Sequence, residues 1–223
     1  MGKVICVVCN FNKCNFVVNC VKSLLEQTFS DIEIIVVDNA STDNSVEELK
    51  HLYGDRIFIV QNQENLGGSG GFNTGLKEAL KRESKYIMLI DNDVVLAPDC
   101  VNIMYSYMEE HQDVGILGPT VRMMREPEKI QDLGGSINER FNMNGNYFAQ
   151  VDKNMPEELE CDYVSTCSAM ARTSAIRKFG LMPEDNFIYW DDVEWSKKCQ
   201  LAGYKTMAIN SAKVWHNFQS ANI

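Results

Sequence analysis

Lys85-Tyr86-Ile87-Met88-Leu89-Ile90-Asp91-Asn92-Asp93-Val94-Val95-Leu96-Ala97-Pro98 is the stretch on which the fold of this chain turns. Tyr86 to Ile90 is a short unbroken apolar run, the pattern of a strand buried on both faces of a mostly parallel sheet. It stops abruptly at Asp91-Asn92-Asp93. Side chains alternate along a strand with period 2, so two carboxylates two residues apart can point to one side. In an open α/β sheet, ligands bind beyond the carboxyl ends of the strands. A pair of hard oxygen ligands there suits Mg²⁺ or Mn²⁺ holding a substrate phosphate. The plainer alternative is an acidic turn, since Asp and Asn are ordinary turn residues and so short a motif recurs by chance.

The flanking chain favours the sheet. Val4 to Cys9 reads as a first buried strand, followed by the polar turn Asn10-Phe11-Asn12-Lys13. A helix over Val17 to Gln27 follows from the spacing of Val17, Val21, Leu24 and Leu25. Ile32 to Val37 is a second buried strand that ends in Asp38-Asn39-Ala40-Ser41-Thr42-Asp43, with Ser41 to Asn44 as capping residues for a helix over Val46 to Leu52. Ile57 to Val60 is a third strand, which completes a βαβαβ half-sheet. Asn65 to Gly75 carries four glycines within the five residues Gly67 to Gly71. It reads as a loop that can approach a ligand closely, or take φ > 0, before a helix at Leu76 to Arg82. A dinucleotide-binding fingerprint would need its final glycine where Asn73 stands, and would follow the first strand rather than the third.

Beyond Asp93 the spacing predicts a helix over Val101 to Glu110 and a strand over Gly115 to Val121. Met123 to Glu160 is rich in Asn, Gly, Met and charge with weak periodicity, and reads as long loops with a hairpin, a region for recognising a second substrate. Tyr163 to Arg172 reads as a strand and Thr173 to Phe179 as a short helix ended by Gly180. Trp195, Cys199 and Leu201-Ala202 suit a helix stopped by Gly203. Lys205 to Ile209 is a last short strand, and Val214 to Phe218 closes the chain's ordered pattern. With no internal repeat or linker, residues 1–223 read as a single domain.

Composition narrows the function classes. The balance of 45% hydrophobic and 23% charged residues is that of a globular domain, and the net charge of −10 argues against nucleic acid as a partner. An acidic protein also needs a cation to accept a phosphorylated ligand. No apolar stretch approaches the roughly 20 residues of a membrane span, and the opening run is too short for a signal peptide. The eight cysteines sit largely in apolar runs, so they read as reduced, buried thiols of a cytosolic protein. Cys6 and Cys9 have the spacing of half a zinc site without a second pair.

Two further groups could carry chemistry. Asp191, Asp192 and Glu194 place three carboxylates in four residues beside Tyr189, Trp190 and Trp195. That exceeds what one helix cap needs. Aromatic faces beside carboxylates suit a sugar, and a carboxylate against an aromatic wall can serve as a general base. His216 stands between Trp215 and Asn217. It is either a structural histidine or a third metal ligand beside Asp91 and Asp93, since imidazole suits Mn²⁺. His51 and His111 lie in helical, exposed stretches and receive no role.

Taken in order, these motifs resemble the inverting, nucleotide-sugar-dependent glycosyltransferases of family 2, with the GT-A fold. The resemblance runs from Val4 to about Phe218. It rests on Asn10-Phe11-Asn12-Lys13, Val37 to Asp43, Asn65 to Gly75, Asp91-Asn92-Asp93, the aromatic-Asp191-Asp192-Val193-Glu194 segment and Val214-Trp215-His216. The glycine-rich segment and Trp190-Asp191-Asp192 look closest to the galactofuranosyl and rhamnosyl transferases. The resemblance implies a donor half over residues 1–93 and an acceptor and catalytic-base half over residues 94–223. It implies that Asp38 reads the pyrimidine base and that Cys9, Asn10 and Phe11 line that pocket. Asn65, Gly67, Gly68, Gly71, Asp91 and Asn92 join the nucleotide-sugar site; Asp91, Asp93 and His216 hold Mn²⁺ or Mg²⁺. Asp192 is the general base of a single inverting displacement, and Trp190, Asp191 and Glu194 face the acceptor. Many members carry Arg where this chain has Phe72, so a charge contact to the donor from that position is absent.

The implied partners are a UDP- or dTDP-linked sugar and a glycan or lipid-linked acceptor, with peripheral association at the inner face of a membrane compatible with both. The chain ends seven residues after His216 where such proteins often continue, which is compatible with its being the catalytic portion of a longer one. Two other classes stay open on the residues alone. A non-catalytic nucleotide- or glycan-binding module would lack turnover. A nucleotidyltransferase would release pyrophosphate, but would usually place a glycine-rich basic loop after the first strand, where Cys9 to Cys14 has no glycine and only Lys13.

Overall fold

Strand β1 (Val4–Asn10) buries alternate residues on opposite faces of a sheet, and that alternation organises the molecule. Val4, Cys6 and Val8 enter one apolar cluster; Ile5 and Val7 enter another. The computed structural model describes residues 2–138, 143–151, 155–185 and 187–217. Along the chain, β1 is followed by α1 (Cys14–Leu25), β2 (Ile32–Asp38), α2 (Ser45–Tyr53), β3 (Phe58–Gln61), α3 (Gly67–Ala79), β4 (Tyr86–Asp91), β5 (Val94–Leu96) and α4 (Cys100–Glu110). Then come β6 (Val114–Met123), β7 (Glu126–Asp132), β8 (Gly135–Ile137), β9 (Met143–Gly145), β10 (Glu158–Glu160), β11 (Ser168–Arg172), α5 (Thr173–Phe179), α6 (Asp191–Leu201) and β12 (Lys205–His216).

Among the described residues, ten strands form one sheet. Its path is β10-β12-β6-β11-β4-β1-β2-β3, with β5 added on β12 and β7 on β6. The β4-β1-β2-β3 run is parallel throughout, and β12 is parallel to β6. Because β11 is antiparallel to both β4 and β6, those two strands again point the same way. The result is a mostly parallel sheet. Helices α1, α2 and α4 cover one face through Val17, Cys20, Val21, Leu24, Leu49, Val101 and Met104. Helices α3, α5 and α6 cover the other through Phe72, Leu76, Ile176, Trp195 and Cys199. Each fully buried Val, Leu, Ile or Met of these clusters contributes roughly 1.5–3 kcal/mol.

Where the structure departs from the sequence reading, packing is the reason. The glycine-rich segment is not a loop with a helix from Leu76; α3 already begins at Gly67. Glycine costs about 1 kcal/mol against alanine inside a helix, which is why the run reads as irregular. The glycines instead let the helix lie hard against the sheet. A Cβ on Gly71 would meet Cys9 Sγ at 2.3 Å, and one on Gly75 would meet Val7 Cγ1 at 2.2 Å. Only the first glycine of the run, Gly67, has positive φ, at +71°.

The capping expected of Ser41 to Asn44 narrows to Asp43, whose Oδ1 accepts from the Ser45 N–H at 3.0 Å. The strand read over Tyr163 to Arg172 begins only at Ser168. The two pieces Lys205–Ile209 and Val214 onward are one strand, β12, with a register shift against β6 between Ile209 and Lys213. Phe218 lies outside the described residues. The segment read as loops and a hairpin holds β7, the small β8–β9 pair and β10. The eight cysteines are free thiols, six of them buried.

Gly75→Ala is therefore expected to destabilise the fold although alanine is the better helix former. A Cβ at 2.2 Å from Val7 Cγ1 and 3.0 Å from Val37 Cγ2 overpacks the helix–sheet seam. Such overpacking costs about 1–3 kcal/mol and outweighs a propensity gain of about 1 kcal/mol. Urea denaturation measures it, and a stabilised variant would show that α3 does not need this close approach.

Candidate active site

Parallel strands deliver their last residues to one edge. Asn10, Asp38 and Asp91 end β1, β2 and β4, and Asn10 sits in register with Asp38. A buried hydrogen-bond chain ties these ends together. Asn92 Nδ2 donates to Asn10 Oδ1 at 2.9 Å, and Asn10 Nδ2 donates to Asp38 Oδ1 at 3.3 Å. The second Asp38 oxygen accepts from the Ser41 N–H at 3.1 Å. Asn10 is fully buried and Asp38 is 1% exposed, so each of these bonds satisfies a group that would be costly unpaired.

Asn39, the next residue, is the hub of the neighbouring loop. Its Oδ1 accepts from Asn62 Nδ2 and the Leu66 N–H, while its Nδ2 donates to Asn65 Oδ1 and the Gly67 carbonyl. That set uses its amide on both sides and fixes the start of α3 against the end of β2.

Asp91, Asp93 and His216 come together at this edge, with one ligand atom from each lying within 4.8 Å of the others. Pairing of β5 with β12 does this: His216 stands opposite Val94, and the Asn217 N–H donates to the Asp93 carbonyl at 3.0 Å. His216 Nε2 lies 3.2 Å from Asp93 Oδ1, and the Lys13 ammonium lies 2.8 Å from Asp93 Oδ2. Burial pushes the Asp91 carboxyl up to about 6, against the pull of His216. Burial also pushes Asp93 upward, but the hydrogen bond from His216 and the Lys13 contact hold it below the usual range. His216 is drawn down by burial, yet its bond to Asp93 and the charges of Asp91, Asp93 and Asp132 leave it above the ordinary imidazole value. Two carboxylates and an imidazole form a donor set that fits Mn²⁺ or Mg²⁺.

The third part of the site is the start of α6. Tyr189 and Trp190 both take the left-handed conformation, at φ 70° and 66°, and turn the chain sharply into the helix. Asp191 points back to α3, where Ser69 Oγ donates to its Oδ2 at 3.2 Å. A negative charge there faces the positive end of the α3 dipole. Asp192 is half-buried and accepts from the Val193 N–H at 2.8 Å. Burial pushes its carboxyl up to about 7, with the charges of Asp191 and Asp91 adding to the shift.

Of the other candidates, Cys9 is half-buried under α3 and Phe11 is 41% exposed at the rim. Gly67 and Gly68 meet the Phe187 carbonyl, which accepts from the Gly68 N–H at 2.9 Å. Trp190 is 42% exposed, and Glu194 lies on the surface beside Lys198. Trp195, read with the sugar-facing aromatics, is instead fully buried: its Nε1 donates to the Gly180 carbonyl and its ring packs edge-on to Phe179. It lies one helical turn after Asp191, on the same inward face. Phe72 is likewise a core residue.

Two residues beside the candidate site escaped the sequence reading. Asn73 clips the approach to α6 by bonding both the N–H and the carbonyl of Met182. Asp132, buried on β7, is pushed by burial up to about 7, and the Asp192 charge adds to it. Neither carries a spacing signal, because each acts across more than 50 residues of chain.

The sequence profile described as Glycosyl transferase family 2 matches residues 5–179. The chain belongs to that family. Galactofuranosyltransferase GlfT2 of Mycolicibacterium smegmatis is 25% identical over 231 aligned residues, which cover 92% of this chain and 35% of the relative. Glycosyltransferase GlyA of Streptococcus pneumoniae is 28% identical over 215 aligned residues, which cover 94% of this chain and 30% of the relative. This family 2 chain thus spans about a third of the length of these relatives. Its fold is that of GT-A glycosyltransferases. GalNAc-T7, solved with UDP, GalNAc and Mn²⁺, superposes with a TM-score of 0.83 at 13% identity, over 98% of this chain and 44% of that one. The mannosyltransferase PcManGT of Pyrobaculum calidifontis, solved with GDP-Man and Mn²⁺, gives 0.73 at 16% identity, over 99% and 58%.

The Lys13 ammonium neutralises the carboxylate that a cation would use. Lys13→Met is expected to tighten donor-free Mn²⁺ binding by about three- to tenfold, the size of one partly screened charge. Calorimetric titration measures it; weaker binding would mean that Lys13 positions Asp93 rather than competes for it.

Proposed function

We propose that this chain is the catalytic portion of an inverting glycosyltransferase. It moves a sugar (rhamnose, galactofuranose or another hexose) from a UDP- or dTDP-sugar to a hydroxyl of a glycan or lipid-linked glycan. One observation carries the reading: Asp91, Asp93 and His216 converge within 4.8 Å at the carboxyl edge of the sheet, beside a carboxylate, Asp192, poised near neutral pH. The name of the M. smegmatis relative supports a galactofuranosyl donor, and the Mn²⁺ in two structural neighbours supports the cation.

Residues 1–93 form the donor half in this reading. Asp38 accepts from the pyrimidine ring, with Cys9, Asn10 and Phe11 beside it and Asn65, Gly67, Gly68, Gly71 and Asn92 around the sugar and phosphates. Asp91, Asp93 and His216 would hold Mn²⁺ or Mg²⁺, which supplies charge neutralisation of the diphosphate and Lewis-acid assistance to the leaving nucleotide. In residues 94–223, Asp192 Oδ takes the proton from the acceptor hydroxyl as that oxygen attacks the anomeric carbon from the face opposite the nucleotide. A carboxylate raised toward neutrality by burial is a stronger base than a solvated one. The exposed Trp190 ring offers a face to the acceptor. Asp191 is buried behind that ring, tied to Ser69, and would support the acceptor surface from beneath, while Glu194 is exposed further out. No helix among the described residues is long and apolar enough to cross a membrane. In this reading a lipid-linked acceptor is met by peripheral association at the inner face of a membrane.

Titration of UDP, dTDP and GDP, each with Mn²⁺ and then with EDTA, tests the donor site. Metal-dependent binding of a pyrimidine diphosphate is expected; binding indifferent to metal would remove Asp93 and His216 from the site.

Asp192→Asn is expected to cut transfer by about 10²–10⁴-fold while leaving nucleotide binding near normal. In the wild type the base must be ionised, so the rate should rise with pH through about 7 and level off above it. Below that value it should fall by about tenfold per pH unit as Asp192 takes up its proton. A flat profile between pH 5 and 8, or lost nucleotide binding in folded Asp192→Asn, would assign the base to another residue.

A further inference from the structure

His216 is held on both sides. Its Nε2 faces Asp93 Oδ1 at 3.2 Å, and its Nδ1 lies 2.9 Å from Gln131 Oε1. Gln131 sits on β7 and His216 on β12, the two strands that flank the outer half of β6. An amide oxygen only accepts hydrogen bonds, so this contact requires a proton on Nδ1. In the metal-free protein Nε2 donates its proton to the hydrogen bond with Asp93; a cation would displace that proton and take the lone pair of Nε2, the nitrogen directed at Asp91 and Asp93. Metal-bound histidines commonly have their second nitrogen fixed by such an outer acceptor, which sets both tautomer and ring orientation.

The strand that carries Gln131 is itself well braced. The Ile130 N–H donates to the Gln150 carbonyl at 2.9 Å and the Ala149 N–H to the Ile130 carbonyl at 2.8 Å. The Leu133 N–H donates to the Asn146 carbonyl, and the neighbouring Asp132 is buried. Gln131 therefore presents its amide from a strand paired on both edges rather than from a loop.

We infer that Gln131 is a positioning residue for the metal centre: it accepts from His216 Nδ1–H, fixes the ring, and leaves Nε2 for a divalent cation shared with Asp91 and Asp93. This rests on the proposed metal site. Its consequence is that β7, a strand remote in sequence from all three ligands, helps set cation affinity before any donor arrives.

The test is donor-free calorimetric titration of Mn²⁺ at one pH into the wild type, Gln131→Leu, Gln131→Glu, His216→Ala and the Gln131→Leu/His216→Ala double variant. Loss of an outer-shell partner typically costs 10–100-fold in metal affinity, so Gln131→Leu should weaken binding by about that factor. Gln131→Glu, which keeps the acceptor, should bind at least as tightly as the wild type. In the His216→Ala background, Gln131→Leu should cost nothing more, because its effect passes through the ring. Nitrogen-15 spectra of the Mg²⁺-loaded wild type should show the proton on His216 Nδ1, a readout that needs no variant to fold. Affinity of Gln131→Leu within twofold of the wild type, an equal loss with and without His216, or a proton on Nε2 would each overturn the inference. Absence of Mn²⁺ binding by the wild type would instead overturn the metal site on which it rests.

Discussion

Negative charge gathered where water is scarce is the constraint on which the rest of this molecule depends. Asp91, Asp132 and Asp192 converge on one edge of the sheet, and burial raises all three from the ordinary 3.8 to about 6 or 7. A carboxylate whose value is raised by folding works against the fold as pH climbs. Its contribution is intact below about 4 and is lost as pH rises through the folded value. Lys13 and His216 offset part of that cost from either side of Asp93. Such an arrangement favours cations, and anions that arrive paired with a cation, over bare anions.

The scaffold meets this constraint with rigidity. Asn10, Asp38 and Asn92 join the ends of β1 and β2 and the turn after β4 through buried hydrogen bonds, and Asn39 does the same for the loop entering α3. The glycines of α3 bring that helix close enough to the sheet for Ser69 to reach Asp191. Asp192, the next residue, is thereby aimed by a helix anchored at its first turn. Packing on one face of the sheet thus decides where the Asp192 carboxylate stands at its edge.

Much of this was legible in the chain. Unbroken apolar runs such as Val4 to Val8 and Tyr86 to Ile90 read as doubly buried strands because both faces of the sheet are covered. Asp91-Asn92-Asp93 read as a site because charge ends such a run abruptly. What stayed hidden had a physical cause. The glycines of α3 read as a loop, since intrinsic propensity opposes a helix that only close contact with Val7 and Cys9 rewards. Trp195 read with the aromatic surface because the sequence around it does not say which face of α6 turns inward. The strand β7, with its Glu-Pro-Glu-Lys opening, lacks the alternation of a half-buried strand and owes its place to pairing with β6.

The sequence by itself determined the strand–helix alternation, the strand-end carboxylates and the family, because these are encoded in local patterns of hydrophobicity, charge and short motifs. The tertiary structure alone decided the company those residues keep. His216 reaches Asp93 through the pairing of β12 with β5, and Gln131 reaches His216 from across β6. Contacts between residues 80 or more positions apart are set by which strands pair and in what register. Such pairing is won by the burial of the whole sheet, and no local stretch of the chain records it.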